Sequence, residues 1–353
     1  HLDRWGSKYI PPSHGFGGIT GKLNMYATDS TFIRDVFIRN TPVITKIDAE
    51  ISLQNINTDP VNGKLVARIY NADHQKCLLE KQMDVTLTGP DKKFNLALNL
   101  PEASPWSPDN PSLYFLDVEW HGNDGSTDHW RDRFGFRWFE IRDNNGDRQL
   151  YLNEERIFLT SAITWGFWPS NGIFPPNSMA EKQVRMAKDL GLNMLSFHRA
   201  IGELRTIEAA DELGLLLYEE PGGYRSPQHN IWFWDLQGDS NSISREEILP
   251  AWEWRRVKLL RMIKRDRNHP SLVIYCMANE ILHDPDEFNK RDIHDAHQLD
   301  PTRIIVYSSN SYESPFMEGY NGNCPKTPAG AKMYMEPYDD EMKFQGWWDE
   351  HHA

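Results

Sequence analysis

The run from Leu272 to Met277 is the feature that most limits how this chain can fold. It is almost continuously apolar and rich in β-branched and aromatic residues, which is the pattern of a parallel strand covered on both faces. His269-Pro270 ends the helix before it, because proline disfavours helical geometry in the preceding residue. Asn279 and Glu280 follow directly, at the end of the strand where parallel sheets and (β/α)8 barrels bind their ligands.

Residues 41–142 show a different pattern. Short stretches of alternating apolar and polar residues, about ten residues apart, are separated by Asn, Gly, Pro and Asp. Strands at this spacing with turn-forming residues between them are typical of an immunoglobulin-like β-sandwich. We predict such a sandwich, with a structural role, over 41–142. The segment 1–40 contains a predicted strand from Thr31 to Ile38 and is too short to close a domain by itself.

From residue 143 onward, predicted strands alternate with predicted helices, the mark of parallel βαβ units. The five strands are Ile157 to Ile163, Asn193 to Phe197, Leu215 to Tyr218, Leu272 to Met277 and Arg303 to Tyr307. Glycine-rich phosphate loops are missing from the sequence, which weighs against a nucleotide-binding fold. We therefore predict a (β/α)8 barrel of TIM type over 143–353. Because eight strands usually take about 250 residues, the barrel should be incomplete, with its first five to six strands and the sixth near Lys332 to Met335.

Charge and composition limit the partners. The formal net charge of −13 argues against nucleic acid and anionic membrane surfaces, since both select basic proteins. No apolar run approaches the roughly 18 residues of a membrane span, and the three cysteines have no metal-ligand spacing. We expect no metal, no other cofactor and a neutral ligand. The aromatic content of 12% suits stacking on sugar rings, although each tryptophan taken singly fits a core position as well.

The residues around the apolar strand resemble a known signature. Asp266-Arg267-Asn268-His269-Pro270-Ser271, the strand, and then Asn279-Glu280 are similar to the acid/base signature of glycoside hydrolase family 2, the β-galactosidase, β-glucuronidase and β-mannosidase family. Phe134-Gly135-Phe136-Arg137 matches the family's marker for the end of its sandwich. The resemblance implies a sandwich followed by a barrel, and it implies that 1–40 is the tail of a sugar-binding-like jelly roll.

The resemblance also implies a reaction. Glu280 is expected to be the general acid/base of a retaining, exo-acting β-glycosidase, which protonates the glycosidic oxygen of a terminal β-linked sugar. β-Galactosides and β-glucuronides are the expected carbohydrate substrates. The expected substrate-binding residues are Asn279 on the sugar's 2-hydroxyl, His198 after the second barrel strand, Arg199 beside it, Glu220 after the third strand, and the loop aromatics Trp165 and Trp347.

A retaining glycosidase needs a second carboxylate, about 5 to 5.5 Å from the acid, as its nucleophile. In the family this residue follows the seventh barrel strand, so we expect it beyond residue 353. Glu336 is the best glutamate at a predicted strand end within the chain, but it lies near the expected sixth strand. We prefer a nucleophile outside the chain to an assignment of Glu336.

Two departures from the family keep a second hypothesis open. The arginine that the family usually has three residues before its histidine is Leu195 here, with Arg199 as a candidate replacement. Thr164-Trp165-Gly166-Phe167-Trp168 replaces the usual histidine and acidic residues after the first barrel strand. The alternative is therefore a catalytically inactive, carbohydrate-binding relative, because fold does not imply function.

A third hypothesis is a metal hydrolase that uses His198, His269 or His283 with nearby acids. These histidines lack the close helical pair of such sites, and His269 before a proline indicates packing. The sequence leaves open the sugar, the linkage and a homo-oligomeric state. The compartment is also open, with a periplasmic or secreted location slightly favoured over the cytoplasm.

Overall fold

The structure is a computed structural model, and it describes residues 23–57, 59–144, 147–164, 176–222, 245–279, 287–309 and 317–318. Within these ranges the chain forms a β-sandwich, a small three-stranded sheet and a mostly parallel β/α sheet. None of the helices in the described ranges is long and apolar enough to cross a membrane.

Within the described residues, seven strands build the sandwich. They are β1 (Thr31–Asn40), β2 (Lys46–Asn55), β3 (Val61–Tyr70), β4 (Cys77–Leu87), β5 (Asp91–Asn99), β6 (Tyr114–Gly122) and β7 (Thr127–Phe134). They pair in two sheets with the orders β1-β2-β5 and β4-β3-β6-β7. In β2 every second side chain is buried, from Ile47 to Leu53, and the side chains between them are partly exposed. This period of two gives each sheet one apolar face for the core between the sheets, and the predicted sandwich is confirmed.

β1 belongs to this sandwich. It pairs antiparallel with β2 from Thr31 opposite Asn55 to Asn40 opposite Ile47, and its apolar side chains join the sandwich core. The structure therefore moves this strand out of the predicted tail segment 1–40 and into the sandwich. The alternation of residues shows that a segment is a strand, but it does not show which sheet the strand joins. Residues 1–22 lie outside the described part of the chain.

A small sheet links the sandwich to the barrel. It contains β8 (Phe139–Asn144), β9 (Asp147–Leu152) and β10 (Glu155–Arg156), in the order β10-β9-β8. Phe139, Leu150 and Leu152 pack against one face of the following parallel sheet. The predicted domain boundary at 142/143 falls inside β8, which pairs antiparallel with β9.

The rest of the described chain alternates strands and helices. It contains β11 (Ser161–Thr164), α1 (Asn177–Asp189), β12 (Met194–Phe197), α2 (Leu204–Leu213), β13 (Leu216–Glu219), α3 (Arg245–Asp266), β14 (Leu272–Asn279), α4 (Glu287–Leu299), β15 (Ile304–Ser309) and β16 (Met317–Glu318). The sheet order is β11-β12-β13-β14-β15-β16, and the first five strands are parallel. This sheet is consistent with the predicted incomplete barrel. β16 pairs antiparallel with β15 and was not predicted, and the sixth strand predicted near 332–335 lies outside the described residues.

The two faces of the parallel sheet have different neighbours. Leu195, Phe197, Leu217 and Tyr275 belong to the core that the sheet shares with the helices. Met194, Leu216, Tyr218, Ile274 and Cys276 belong to the core on the other face, with the small sheet. We call the first the outer face and the second the inner face. Both faces are buried, which explains why Leu272 to Met277 reads as a continuous apolar run.

The segment 266–271, which precedes β14 in the family signature, contacts the sandwich. Asn268 accepts the Ile38 amide on Oδ1 at 2.9 Å and donates from Nδ2 to the Val36 carbonyl at 3.0 Å. The Arg267 guanidinium lies over the Phe37 ring, 4.4 Å from its centroid, and donates to Asp35. These contacts tie the segment before β14 to β1, so the signature serves as an interdomain anchor as well as the approach to a strand end.

Candidate active site

Polar residues gather where the parallel strands end. His198 directly follows β12, Glu220 directly follows β13, and Asn279 is the last residue of β14. These strands are parallel neighbours, so the three positions lie along one edge of the sheet, the edge at which barrels and open α/β sheets bind ligands. By the period of two, position 198 continues the inner face of Met194, and position 220 continues that of Tyr218.

The turn after β12 is held by its neighbours on both sides. The His198 amide donates to the Thr164 carbonyl at 2.8 Å, and the Arg199 amide donates to Glu220 Oε2 at 2.9 Å. Arg199 has a φ of 55°, a left-handed conformation that costs a non-glycine residue roughly 1 to 3 kcal/mol. His198 and Glu220 are only 4% and 1% exposed. The surrounding contacts therefore hold this turn in a conformation that it would not adopt by itself.

Some of the predicted site residues lie outside the described part of the chain. They are Glu280, Trp165 and Trp347, as well as His283 and Glu336 from the alternatives. For Asn279 the structure describes the backbone, which pairs with Ser309 in the parallel ladder between β14 and β15. The structure thus brings His198, Arg199, Glu220 and the backbone of Asn279 to one edge, with Glu280 next in sequence.

The departure at Leu195 has a structural explanation. Leu195 is 4% exposed and packs in the outer-face core among helix residues such as Val184 and Ala187. The neighbouring Ser196 has the opposite parity, so it belongs to the inner face. Position 195 is therefore not a pocket position. The leucine there is not evidence that the site is inactive.

Two histidines of the metal hypothesis, His198 and His269, lie at opposite ends of the parallel strands. His269 precedes the amino end of β14, whereas His198 follows the carboxyl end of β12. His269 Nδ1 lies 2.5 Å from Asp211 Oδ2, and Asp211 Oδ1 accepts the Ser271 amide at 3.0 Å. Among the described residues, no group of three or more His, Cys, Asp or Glu side chains could hold a metal ion. The described contact of His269 is its pair with Asp211 before β14.

The His269 pair predicts how stability depends on pH. Burial alone would lower the pKa of His269, but the charge and hydrogen bond of Asp211 outweigh it, and Asp266 and Asp132 add to the effect. The pKa of His269 is raised to about 9. A raised folded-state pKa gives stability that is complete below the unfolded value near 6.5 and is lost as pH rises through about 9.

We therefore expect the free energy of unfolding to fall by up to about 3 kcal/mol between pH 6.5 and 9.5. Urea midpoints measured across this range should show the fall in the wild type and a much smaller fall in His269→Gln. His121→Gln is the control, because His121 is exposed and pairs with Glu119 at the surface. An equal slope in wild type and His269→Gln would contradict the assignment.

Sequence reasoning missed a buried charged cluster behind this edge. Glu219 ends β13 and is fully buried on the outer face, where Arg265 and Asp266 from the end of α3 meet it. Burial, and next the charge of Asp266, raise the pKa of Glu219 well above its usual range. The pair Glu219-Glu220 could have shown this cluster in the sequence. Because consecutive residues of a strand point to opposite faces, a Glu220 in the pocket implies a Glu219 on the helix side.

The fold and the position of the site define a class of protein. A β-sandwich precedes a parallel β/α sheet, and buried polar side chains line the carboxyl edge of that sheet, as in multidomain proteins with a TIM-type barrel. The family model of glycosyl hydrolases family 2 matches residues 31–137, and the model of the TIM barrel domain of that family matches residues 146–349. The chain belongs to glycosyl hydrolases family 2. The first match begins at β1, in agreement with the place of β1 in the sandwich.

Several curated relatives have named activities. A β-galactosidase of Thermoanaerobacterium thermosulfurigenes is 27% identical over 319 residues, which are 86% of this chain and 41% of that protein. A putative β-glucuronidase of Formosa agariphila is 27% identical over 305 residues, or 82% of this chain and 33% of the relative. This chain therefore spans less than half the length of these relatives.

Solved structures show the same fold. A glycosyl hydrolase family 2 member from Bacteroides cellulosilyticus aligns with a TM-score of 0.67 and 22% identity, over 79% of this chain and 35% of the other. A family 2 β-galacturonidase from Eisenbergiella tayi, bound to galacturonate, aligns with a TM-score of 0.66 and 21% identity, over 82% of this chain and 48% of the other.

Proposed function

We propose that the protein is a retaining, exo-acting β-glycosidase with Glu280 as its general acid/base. The observation that carries this proposal is the end of β14 at Asn279, at the edge where His198 and Glu220 are buried. Glu280 is the next residue in the chain, so the proposed acid/base follows directly from the strand end.

The reaction would proceed in two steps. Glu280, starting protonated, would give its proton to the glycosidic oxygen while a second carboxylate attacks the anomeric carbon and the sugar–oxygen bond breaks. It would then take a proton from the water that hydrolyses the glycosyl-enzyme. We assign no residue of the described chain as the nucleophile.

The proposed sugar contacts follow the order of the strands. Asn279 would bind the 2-hydroxyl, and His198, Arg199 and Glu220 would hold the ring from the neighbouring strand ends. Glu220 already accepts the Arg199 amide on Oε2, so it would shape the pocket wall even where it does not touch the sugar. Terminal β-galactosides and β-uronides are the proposed substrates, because the relatives are named β-galactosidase, β-glucuronidase and β-galacturonidase.

The test is turnover by the full-length protein of β-galactosides, β-glucuronides, β-galacturonides, β-glucosides and β-mannosides. Proton NMR of the first-formed product should show the β-anomer, because two displacements restore the configuration. The α-anomer as first product would overturn the retaining mechanism. Sugar binding without turnover of any substrate would favour the inactive, carbohydrate-binding relative.

A further inference from the structure

Glu219 has a buried carboxyl group among apolar side chains, next to Arg265 and Asp266. It is 0% exposed and lies on the outer face of β13, where Leu217 and Phe197 pack against the helices. Burying such a group without partners is costly, so its contacts should show what it does. None of the roles proposed above uses it.

Glu219 and Arg265 together hold both backbone polar groups of Gly202. Glu219 Oε1 accepts the Gly202 amide at 2.7 Å, and Arg265 Nη2 donates to the Gly202 carbonyl at 2.7 Å. Arg265 is itself fixed by Asp266, with Nε to Oδ1 at 2.6 Å and Nη2 to Oδ2 at 2.7 Å. The end of α3 thus reaches the turn between β12 and α2 through one arginine.

Gly202 lets the turn approach this closely. A Cβ atom at position 202 would lie 2.8 Å from Phe197 Cε2, 2.9 Å from Ile207 Cδ1 and 3.1 Å from Glu219 Oε1. The first two distances are shorter than Cβ atoms show in proteins, so these neighbours would have to shift. The Gly202 backbone therefore packs closely against Phe197 of β12 and Ile207 of α2, beside the carboxyl group of Glu219.

The other end of the same turn is held by Glu220, the residue that follows β13. Glu220 Oε2 accepts the Arg199 amide at 2.9 Å. Two consecutive carboxyl groups therefore bind the turn 198–202 near its two ends. Fixing both ends limits how far His198 and Arg199 can move.

We propose that Glu219, supported by Arg265 and Asp266, is a positioning residue that fixes the turn 198–202 so that His198 and Arg199 keep their place at the sugar pocket. The binding of sugar in the pocket rests on the proposed function. The fixing of the turn 198–202 by Glu219 does not. Glu219 touches no substrate in this proposal. It acts through the backbone of Gly202.

The chemistry of the site predicts which replacement is tolerated. Glu219 Oε2 is buried with no hydrogen-bond partner among the described residues, and burial and the charge of Asp266 raise the pKa of Glu219. A carboxylate or a carboxyl group protonated on Oε2 leaves Oε1 as an acceptor for the Gly202 amide. Glutamine has the same length and keeps an acceptor at that position, whereas alanine keeps none.

The test compares Glu219→Gln and Glu219→Ala in the full-length protein, with Glu181→Ala as the control on an exposed helix position. On the substrate that the wild type turns over, Glu219→Ala should lower kcat/KM by about 10- to 100-fold, mainly through KM, since the turn binds the sugar. Glu219→Gln should stay within about 3-fold of the wild type, and Glu181→Ala should match it.

A second measurement does not depend on catalysis. Hydrogen–deuterium exchange in a peptide covering 198–203 should be faster in Glu219→Ala and unchanged in Glu219→Gln. A wild type without turnover would count against the proposed function, and the exchange data would still test the hold on the turn. If Glu219→Ala does not fold, Glu219→Asp replaces it, because the shorter side chain withdraws the acceptor and keeps the carboxyl group.

Three results would overturn the proposal. The first is a hydrogen–deuterium exchange rate over 198–203 in Glu219→Ala that equals the rate in the wild type. The second is faster exchange with wild-type KM and kcat, which would mean that the hold on the turn has no part in sugar binding. The third is equal damage in Glu219→Gln and Glu219→Ala, because loss of the acceptor would then not be the cause.

Discussion

Replacing Glu280 with Gln is expected to lower turnover of β-glycosides with sugar leaving groups by about 100-fold or more. The amide keeps the size of the side chain but cannot give a proton to the glycosidic oxygen. A sugar alkoxide is a poor leaving group, so bond cleavage should slow by the full contribution of the acid. Steady-state kinetics of Glu280→Gln beside the wild type on one disaccharide measure this loss.

The leaving group provides the internal control. An aryl leaving group with a low pKa departs without a proton, so the first step on an activated aryl glycoside should be affected far less than on the disaccharide. Glu181→Gln is the matched control, since Glu181 is an exposed glutamate on α1 of the same domain. If Glu280→Gln turned over the disaccharide at the wild-type rate, Glu280 would not be the acid/base.

Replacing Arg137 with Ala should cost about 3 to 5 kcal/mol of stability. Arg137 follows β7 and is fully buried. Its Nε donates to the Pro270 carbonyl at 2.9 Å and its Nη2 to the Leu272 carbonyl at 2.8 Å. Burial, and next the neighbouring Arg303, lower the pKa of Arg137 to about 9, so it still carries its charge at pH 7. Alanine would leave the Pro270 carbonyl without this donor, at about 1 to 3 kcal/mol, and would open a cavity as well. The Leu272 carbonyl would lose one of two donors, since it also accepts from Arg303 Nε at 3.1 Å.

Urea unfolding followed by circular dichroism and tryptophan fluorescence would measure the effect of Arg137→Ala as a shift of the midpoint. Arg142→Ala is the control, because Arg142 on β8 is substantially exposed and pairs with Glu140 at the surface. Its loss should cost less than about 1 kcal/mol. Equal midpoints for the two variants would show that Arg137 does not hold the two domains together.

Local patterns in the sequence predicted much of this protein. The period of two identified most strands of the sandwich, and the continuous apolar run at Leu272 identified a strand covered on both faces. The strand inferences succeed because side-chain period is a property of a few consecutive residues. The resemblance to the family pointed to Asn279, Glu280, His198 and Glu220 as site residues, and their roles stay predictions.

The partners of those strands and side chains depended on the tertiary structure. β1 pairs with β2 and its apolar side chains join the sandwich core, whereas the pattern of a strand does not show which strand it pairs with. Arg137 binds carbonyls more than 130 residues away. Gly202 is bound by Glu219 from β13 and by Arg265 from the end of α3. The sequence by itself determined where most of the strands lie, since that information is local. Only the tertiary structure decided which buried polar groups meet, because a buried charge must find its partner in space, wherever that partner lies in the chain.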